Sequence, residues 1–410
     1  MATTYALVTF GCRVNQADSL ALEGQLRSRG AVLAPPERAD VVIVNTCSVT
    51  AAADQGARQT VRRVTRDNPA ARVVVTGCYA SRCAGEVAAL PNVVHVVPND
   101  RKESLVDLIE WEPTTATRFG GGDGPCGGLE PGVGGRTALT LRVQTGCDET
   151  CSYCIIPRTR GSSRSRPLEL VTAGIARAID AGYKEIAITG VHLGSYGRDL
   201  GDGTTLVALV RRLADWPGDV LFRLSSLEPM DCSDALVDLV ACSPRVAPHF
   251  HLPLQHGADR VLRAMRRPYT AGFYRRLVER IRARLPHAAV GSDLIVGFPG
   301  EATEDFEESR ALVASLPLTQ LHVFPYSDRP GTEASGAGRK VEGAVIRERG
   351  RVMRTIGATL VERFRRSQAG TTRRALTVDD GWSAVTDNYL KVRLTQPRVR
   401  NTWVDVTVTA

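Results

Sequence analysis

The chain has 410 residues, too many for one simple small core, and its 43% apolar and 23% charged residues describe an ordinary soluble protein of two or three domains. The N-terminal residues show no basic, apolar and cleavage-site succession, and no stretch approaches a membrane-spanning length. A cytoplasmic location is therefore expected, in which ten cysteines serve as ligands or catalytic groups rather than as a disulfide framework, while a net charge of +8 permits an anionic partner without naming one.

The first hundred residues alternate short apolar runs with helix-like polar segments. Leu7 to Phe10, Val41 to Val44, Val73 to Val75 and Val93 to Val97 read as strands of a parallel α/β sheet. The first three run into Gly11-Cys12, Asn45-Thr46-Cys47 and Thr76-Gly77-Cys78. Strands of an open parallel sheet end on one edge, so Cys12, Cys47 and Cys78 are expected to converge there as a ligand set. The bland reading of each is a small buried apolar residue. From Pro113 to Gly135 the chain turns to Gly, Pro and Thr and reads as a linker, with Cys126 an incidental thiol in it.

Beyond it, Leu139 to Val143 leads into Gly146-Cys147-Asp148-Glu149-Thr150-Cys151-Ser152-Tyr153-Cys154. The C-x3-C-x2-C spacing suits a tight loop holding three corners of a [4Fe-4S] cube and leaving one iron open, a place where the amine and carboxylate of S-adenosylmethionine can chelate. Zinc is the rival metal; it needs a fourth ligand, the nearest downstream histidine is His192, and no second cysteine knuckle follows. Further strands are expected at Glu185 to Thr189, Val220 to Leu224, His249 to Leu252, Val290 to Val296 and Leu321 to Phe324, with helices between them, giving six βα units of an open barrel whose active residues lie at the carboxyl ends of strands. His249, His251 and His256 have mixed parity, so they are expected on different faces and not as one metal cluster. A long arginine-rich helix is expected from about Glu342 to Ser367, then a small basic all-β module of the kind that holds RNA. Arg158, Arg160, Arg164 and Arg166, with Arg263, Arg266 and Arg267, read as a nucleic-acid footprint or as solvated faces.

The segments Phe10-Gly11-Cys12-Arg13-Val14-Asn15-Gln16, Asn45-Thr46-Cys47-Ser48-Val49-Thr50, Val75-Thr76-Gly77-Cys78-Tyr79-Ala80 and Cys151-Ser152-Tyr153-Cys154-Ile155-Ile156-Pro157 stand in one order with Thr189-Gly190-Val191-His192-Leu193-Gly194-Ser195, Leu224-Ser225-Ser226-Leu227-Glu228-Pro229, His251-Leu252-Pro253-Leu254-Gln255-His256-Gly257 and Val296-Gly297-Phe298-Pro299-Gly300-Glu301. Through them the chain resembles the radical S-adenosylmethionine methylthiotransferases, and within them the branch that modifies threonylcarbamoyladenosine in tRNA. The resemblance implies an α/β protein in three parts: an N-terminal parallel α/β domain (1–112) with an auxiliary cluster, a central partial (βα)6 radical SAM barrel (136–366) after the 113–135 linker, and an all-β RNA-binding module (367–410), shortened here. It implies two [4Fe-4S] clusters, one on Cys12, Cys47 and Cys78 and one, with S-adenosylmethionine, on Cys147, Cys151 and Cys154. Tyr153, Gly190, His192, Ser226, Glu228, Gln255 and Gly297 are then expected around the cofactor, and Cys47 with the second triad in catalysis. Cys83 competes with Cys78 as a ligand; Cys232 and Cys242 match no ligand motif. The implied partners are the tRNA anticodon loop, an electron donor such as flavodoxin or ferredoxin, and a sulfur donor. Isopentenyladenosine in tRNA and a ribosomal-protein aspartate are the targets of other branches, and a non-catalytic metal-bearing RNA-binding protein is the reading from another class.

Overall fold

The computed structural model describes residues 3–109, 131 and 137–409; the expected linker falls outside these apart from Pro131, and Cys126 lies outside them. The N-terminal strands β1 (Thr4–Thr9), β2 (Val32–Leu33), β3 (Val41–Thr46), β4 (Arg72–Gly77) and β5 (Val93–Val97) form one parallel sheet in the order β2-β1-β3-β4-β5. Strand β3 is buried along its whole length, as its unbroken Val-Val-Ile-Val run requires of a strand covered on both faces. The helices α1 (Arg13–Ser28), α2 (Ala51–Asp67) and α3 (Cys78–Arg82) follow β1, β3 and β4, the three strands that lie side by side. The exposed two-residue edge strand β2 was not expected from the sequence.

The second body has strands β6 (Leu139–Arg142), β9 (Glu185–Thr189), β10 (Leu221–Leu224), β11 (His249–His251), β12 (Ala289–Val296) and β13 (Gln320–Pro325), while β7 (Gln144–Thr145) and β8 (Arg164–Ser165) pair as a small hairpin around the cysteine loop. The strands form two parallel sheets, β10-β9-β6 and β11-β12-β13, joined by a parallel bridge from Phe222 to Val246. All six therefore follow one another in sequence order around an open barrel. One large apolar cluster, including Ile186, Phe222, Phe250, Val290 and Leu294, unites the wall with its outer helices. The helix Gly343–Gln368 packs Met353, Leu360 and Phe364 inward and runs two residues past the expected boundary at 366.

The last body is an antiparallel sheet, β16 (Lys391–Arg393), β15 (Ser383–Thr386), β14 (Thr372–Val378) and β17 (Trp403–Thr407) in that order. It closes the base of the barrel. Tyr389 stacks on buried His249 with ring centres 4.6 Å apart, lies under the Arg223 guanidinium at 4.9 Å, and its hydroxyl accepts from Arg13 at 2.8 Å. Arg223, fully buried, is paired with Glu185 at 2.9 Å and donates to the Asp387 carbonyl at 3.0 Å. Tyr389→Ala is expected to cost about 1–3 kcal/mol, the sum of a stacked ring, a cation over its face and one hydrogen bond, read as a lower urea midpoint at unchanged slope. Among the described residues no helix is long and apolar enough to cross a membrane.

Candidate active site between two cysteine triads

Cys12, Cys47 and Cys78 each follow the last residues of β1, β3 and β4, and register pairs Thr9 with Asn45 and Thr46 with Gly77, so the parallel sheet delivers all three thiols to one edge. The turns are made by glycine for a steric reason. Gly11 has φ +87°, and a Cβ on it would stand 2.6 Å from Cys47 Sγ. Cys47 and Cys78 are buried and Cys12 is exposed. Burial pushes the Cys47 thiol up to about 11, Cys78 and Cys12 adding to the rise. Cys78 Sγ accepts from Asn99 Nδ2 at 3.6 Å. Cys83 follows the helix Cys78–Arg82 as its C-terminal cap, where burial pushes its thiol up. Cys232 is a core residue, and Cys242 is exposed at the end of the helix Asp234–Cys242.

The second triad leaves the carboxyl end of β6 through the β7/β8 hairpin. Cys147, Cys151 and Cys154 are half-buried, and burial first, with the neighbouring thiols adding, pushes Cys154 up to about 12. Arg267 donates to Cys151 Sγ at 3.1 Å, to the Tyr269 hydroxyl at 3.1 Å, and pairs with Glu228. His192 stands with Nδ1 3.8 Å from Cys147 Sγ while Nε2 meets Asp231 at 2.7 Å. Burial opposes its protonation, but Asp231 and the Cys147 sulfur outweigh it and carry the imidazole up to about 9. Tyr153 packs with Ala258, Met265 and Phe298.

Both triads fit an iron-sulfur cube better than a single ion. A tetrahedral zinc holds its sulfurs about 3.8 Å apart, given Zn–S bonds of about 2.3 Å. In each triad at least one pair of sulfurs is wider than 4.8 Å, because the one set of three or more His, Cys, Asp or Glu ligand atoms drawn that close among the described residues is His251, Asp293 and His322.

A cavity of about 220 Å³ is lined by Cys154 of the second triad with Tyr153, Ile155 and Ile156, and by Val49 and Thr50, just past Cys47 of the first. Gln255, Asp293, Ile295 and Phe324 contribute the barrel side. Of the residues expected around a cofactor, Gln255 and Tyr153 line this space. Ser226 instead bonds His251 Nδ1 at 2.7 Å, and Glu228 holds Arg267. Gly190 is buried beside Gln144, whose Oε1 accepts from His192 N at 2.9 Å. Gly297, φ +78°, lets Ile346 of the long helix pack against its α-carbon, where any Cβ would overlap it.

Two groups of the site were not legible in the sequence. Arg160 and Arg267 belong to clusters read as an RNA footprint, yet both are buried. The structure corrects that reading for these two: charges this deep need partners, and Arg160 finds Asp18 at 3.1 Å and Asn15 at 2.5 Å. In the C-terminal module Arg373 pairs with Asp387, Arg374 with Asp219 and Lys391 with Asp379, leaving Arg393 and Arg398 exposed. His249 and His251 share one face of β11 while His256 turns away to Glu301 at 3.7 Å, as their mixed parity implies.

Residues 141–313 match the radical SAM superfamily, and residues 4–98 match the uncharacterized protein family UPF0004. A solved radical S-adenosylmethionine methyltransferase, TsrM of Kitasatospora setae, superposes with a TM-score of 0.56 at 16% identity over 82% of this chain and 74% of its own, a likeness of fold. The threonylcarbamoyladenosine tRNA methylthiotransferase MtaB of Aquifex aeolicus is 35% identical over 95% of this chain and 96% of its own length. The tRNA-2-methylthio-N(6)-dimethylallyladenosine synthase of Nitratidesulfovibrio vulgaris (strain DP4) is 34% identical over 90% of this chain and 84% of its own. The chain belongs to the radical SAM methylthiotransferase family.

Proposed function

We propose that this protein is a tRNA methylthiotransferase that places a methylthio group on carbon 2 of N6-threonylcarbamoyladenosine beside the anticodon. The observation that carries the reading is the cavity lined by Cys154 of one thiol triad and by Val49 and Thr50, just past Cys47 of the other, together with the near full-length likeness to the MtaB enzyme. Cys12, Cys47 and Cys78 would hold the auxiliary [4Fe-4S] cluster, and Cys147, Cys151 and Cys154 the cluster that binds S-adenosylmethionine. When bound, these groups supply the electron, the carbon radical and the sulfur that an aromatic C–H without a leaving group requires.

The chain's own residues set the stage. Arg267 balances negative charge at Cys151, Asp231 orients the His192 imidazolium beside Cys147, and Tyr153, Ile155 and Ile156 keep water from the cavity beside Cys154. Gln255 offers a polar group on the barrel side, and exposed Phe324 offers a ring on which a purine can stack. An anticodon-loop base is single-stranded and reaches the cavity without melting a duplex. The reading places the protein in the cytoplasm with a flavodoxin or ferredoxin as electron donor and a separate sulfur donor, and treats residues 1–112, 136–366 and 367–410 as its three working parts.

The test is mass spectrometry of nucleosides from total tRNA of the source cells with and without the gene. Loss of 2-methylthio-N6-threonylcarbamoyladenosine with accumulation of its precursor is expected; an unchanged profile would move the target to dimethylallyladenosine, to a protein side chain or elsewhere.

A further inference from the structure

The wall of the barrel beneath the cavity is built by β11, β12 and β13, and its register is specific. His251 lies beside Gly291, Gly291 beside Gln320, Asp293 beside His322, and Ile295 beside Phe324. A strand alternates faces, so Gly291, Asp293 and Ile295 point one way with His251, His322 and Phe324, while Val290, Ser292, Leu294 and Val296 are buried on the other. Ile295, Phe324 and Asp293 all line the cavity beside Cys154. Asp293 is one residue pair deeper, about 6.6 Å along the strand.

At that depth the lining stops being apolar. Asp293 Oδ1 accepts from His251 Nε2 at 2.9 Å and from His322 Nδ1 at 3.1 Å. The remaining nitrogens are also occupied, His251 Nδ1 by the Ser226 hydroxyl at 2.7 Å and His322 Nε2 by the Gln320 amide at 3.0 Å. This network assigns both tautomers, and no partner is recorded for Asp293 Oδ2 among the described residues. Burial pushes the Asp293 carboxyl up, but the two histidines outweigh it and hold it near 2, so the group is an anion at neutral pH. Gly291 leaves the room for this, since a Cβ there would stand 3.1 Å from His251 Cδ2. A carboxylate with one oxygen pinned and the other open, at the floor of a pocket, is a hydrogen-bond acceptor waiting for donors.

The chemistry of the substrate places its substituent here. In a purine, C2 and C6 are separated by N1 alone, so an adenosine whose C2 lies in this cavity must carry its N6 group into it as well. We propose that His251, Asp293 and His322 form a specificity floor that recognises the N6-linked amino-acid ureido group, whose N–H and hydroxyl donate to Asp293 Oδ2 while the two histidines hold Oδ1 in place. The proposal rests on the substrate reading above and deepens it. A dimethylallyl group offers that oxygen nothing and would desolvate it unpaired, and a site built for hydrogen bonds rejects such an analogue far more strongly than an apolar pocket rejects an extra methylene. The three ligand atoms lie close enough for a metal ion. Their hydrogen-bond partners are one another, so a bound ion is an outcome the test must separate from recognition.

The test uses the cluster-loaded protein and two anticodon stem-loop RNAs, one with threonylcarbamoyladenosine and one with dimethylallyladenosine, and compares kcat/KM for the methylthio products in wild type, His322→Leu, His322→Gln and Asp293→Asn. Iron and sulfide content identifies any variant that has failed to fold, and the isosteric Asp293→Asn then carries the test. Wild type is expected to prefer the threonylcarbamoyl RNA by about a hundredfold or more. His322→Leu and Asp293→Asn should each lower that preference by about tenfold or more through a higher KM for this RNA, with His322→Gln keeping more of it. A preference that survives in all three variants, or equal losses on both RNAs, overturns the inference and leaves the assigned substrate standing. A wild type that acts on the dimethylallyl RNA alone, or on neither, overturns the assigned substrate and the inference with it. A metal ion beyond the two clusters, present in wild type and lost in His322→Leu, overturns recognition in favour of ligation.

Discussion

A Cys147→Ala protein should lose 5′-deoxyadenosine formation from S-adenosylmethionine under strong reductant, a fall of at least about a thousandfold, or roughly 4 kcal/mol. Cys47→Ala should lose the methylthio product to the same degree yet still form 5′-deoxyadenosine. The asymmetry follows from placement. Cys147 stands in the barrel loop beside His192, whereas Cys47 follows a strand of the N-terminal sheet and precedes Val49 and Thr50, which line the cavity together with Cys154. Each variant should also drop from roughly eight iron atoms per chain towards roughly four, because the two ligand sets belong to separate bodies. Persistent 5′-deoxyadenosine in Cys147→Ala would unseat the assignment of that triad, and unchanged product in Cys47→Ala would remove the N-terminal triad from the reaction.

The strands that carry these thiols were readable because their signal is local. A short apolar run followed within three residues by cysteine recurs three times, and parallel topology does the rest. The six barrel strands were readable for the same reason, each a short apolar run between helical segments. The edge strand Val32–Leu33 and the short Ser383–Thr386 were missed because two to four residues carry no period. What pattern cannot convey is pairing at a distance. Arg267 looks like any surface arginine until the fold sets it behind Cys151, 116 residues away. His251, Asp293 and His322 each sit in an ordinary strand, and only register brings their side chains to one oxygen. Arginine clusters mislead for a related reason: charge in sequence does not say which members the fold will bury.

The largest stability effect is expected at Asp18, on α1. Its buried carboxylate takes three cations: Lys102 at 2.9 Å, Arg142 at 2.7 Å and Arg160 at 3.1 Å. Lys102 belongs to the N-terminal body, while Arg142 ends β6 and Arg160 closes the helix Ile156–Arg160 just past Cys154, so one side chain ties the sheet to the barrel beside both triads. Asn45 and Asn15 complete the network, Asn45 Oδ1 accepting from Lys102 at 3.1 Å and Asn15 Nδ2 donating to the Phe10 and Thr46 carbonyls at 2.9 and 2.8 Å. Asp18→Asn keeps the shape and removes the charge, leaving the cations buried without their counter-ion, a change that costs about 3–5 kcal/mol. Burial pushes the Asp18 carboxyl up, but Lys102, Arg142 and Arg160 outweigh it and hold it far below the ordinary range. A depressed folded pKa gives stability that is complete above about pH 4, the unfolded value, and is lost as pH falls through the folded one. Urea unfolding at pH 7 should therefore show the full deficit in Asp18→Asn, and the gap to wild type should begin to close only below about pH 4. A deficit under about 1 kcal/mol at pH 7 would mean that water reaches the carboxylate and that the two bodies are held together elsewhere, with the Arg329 to Asp54 pair at 2.8 Å behind Cys47 the next link to cut.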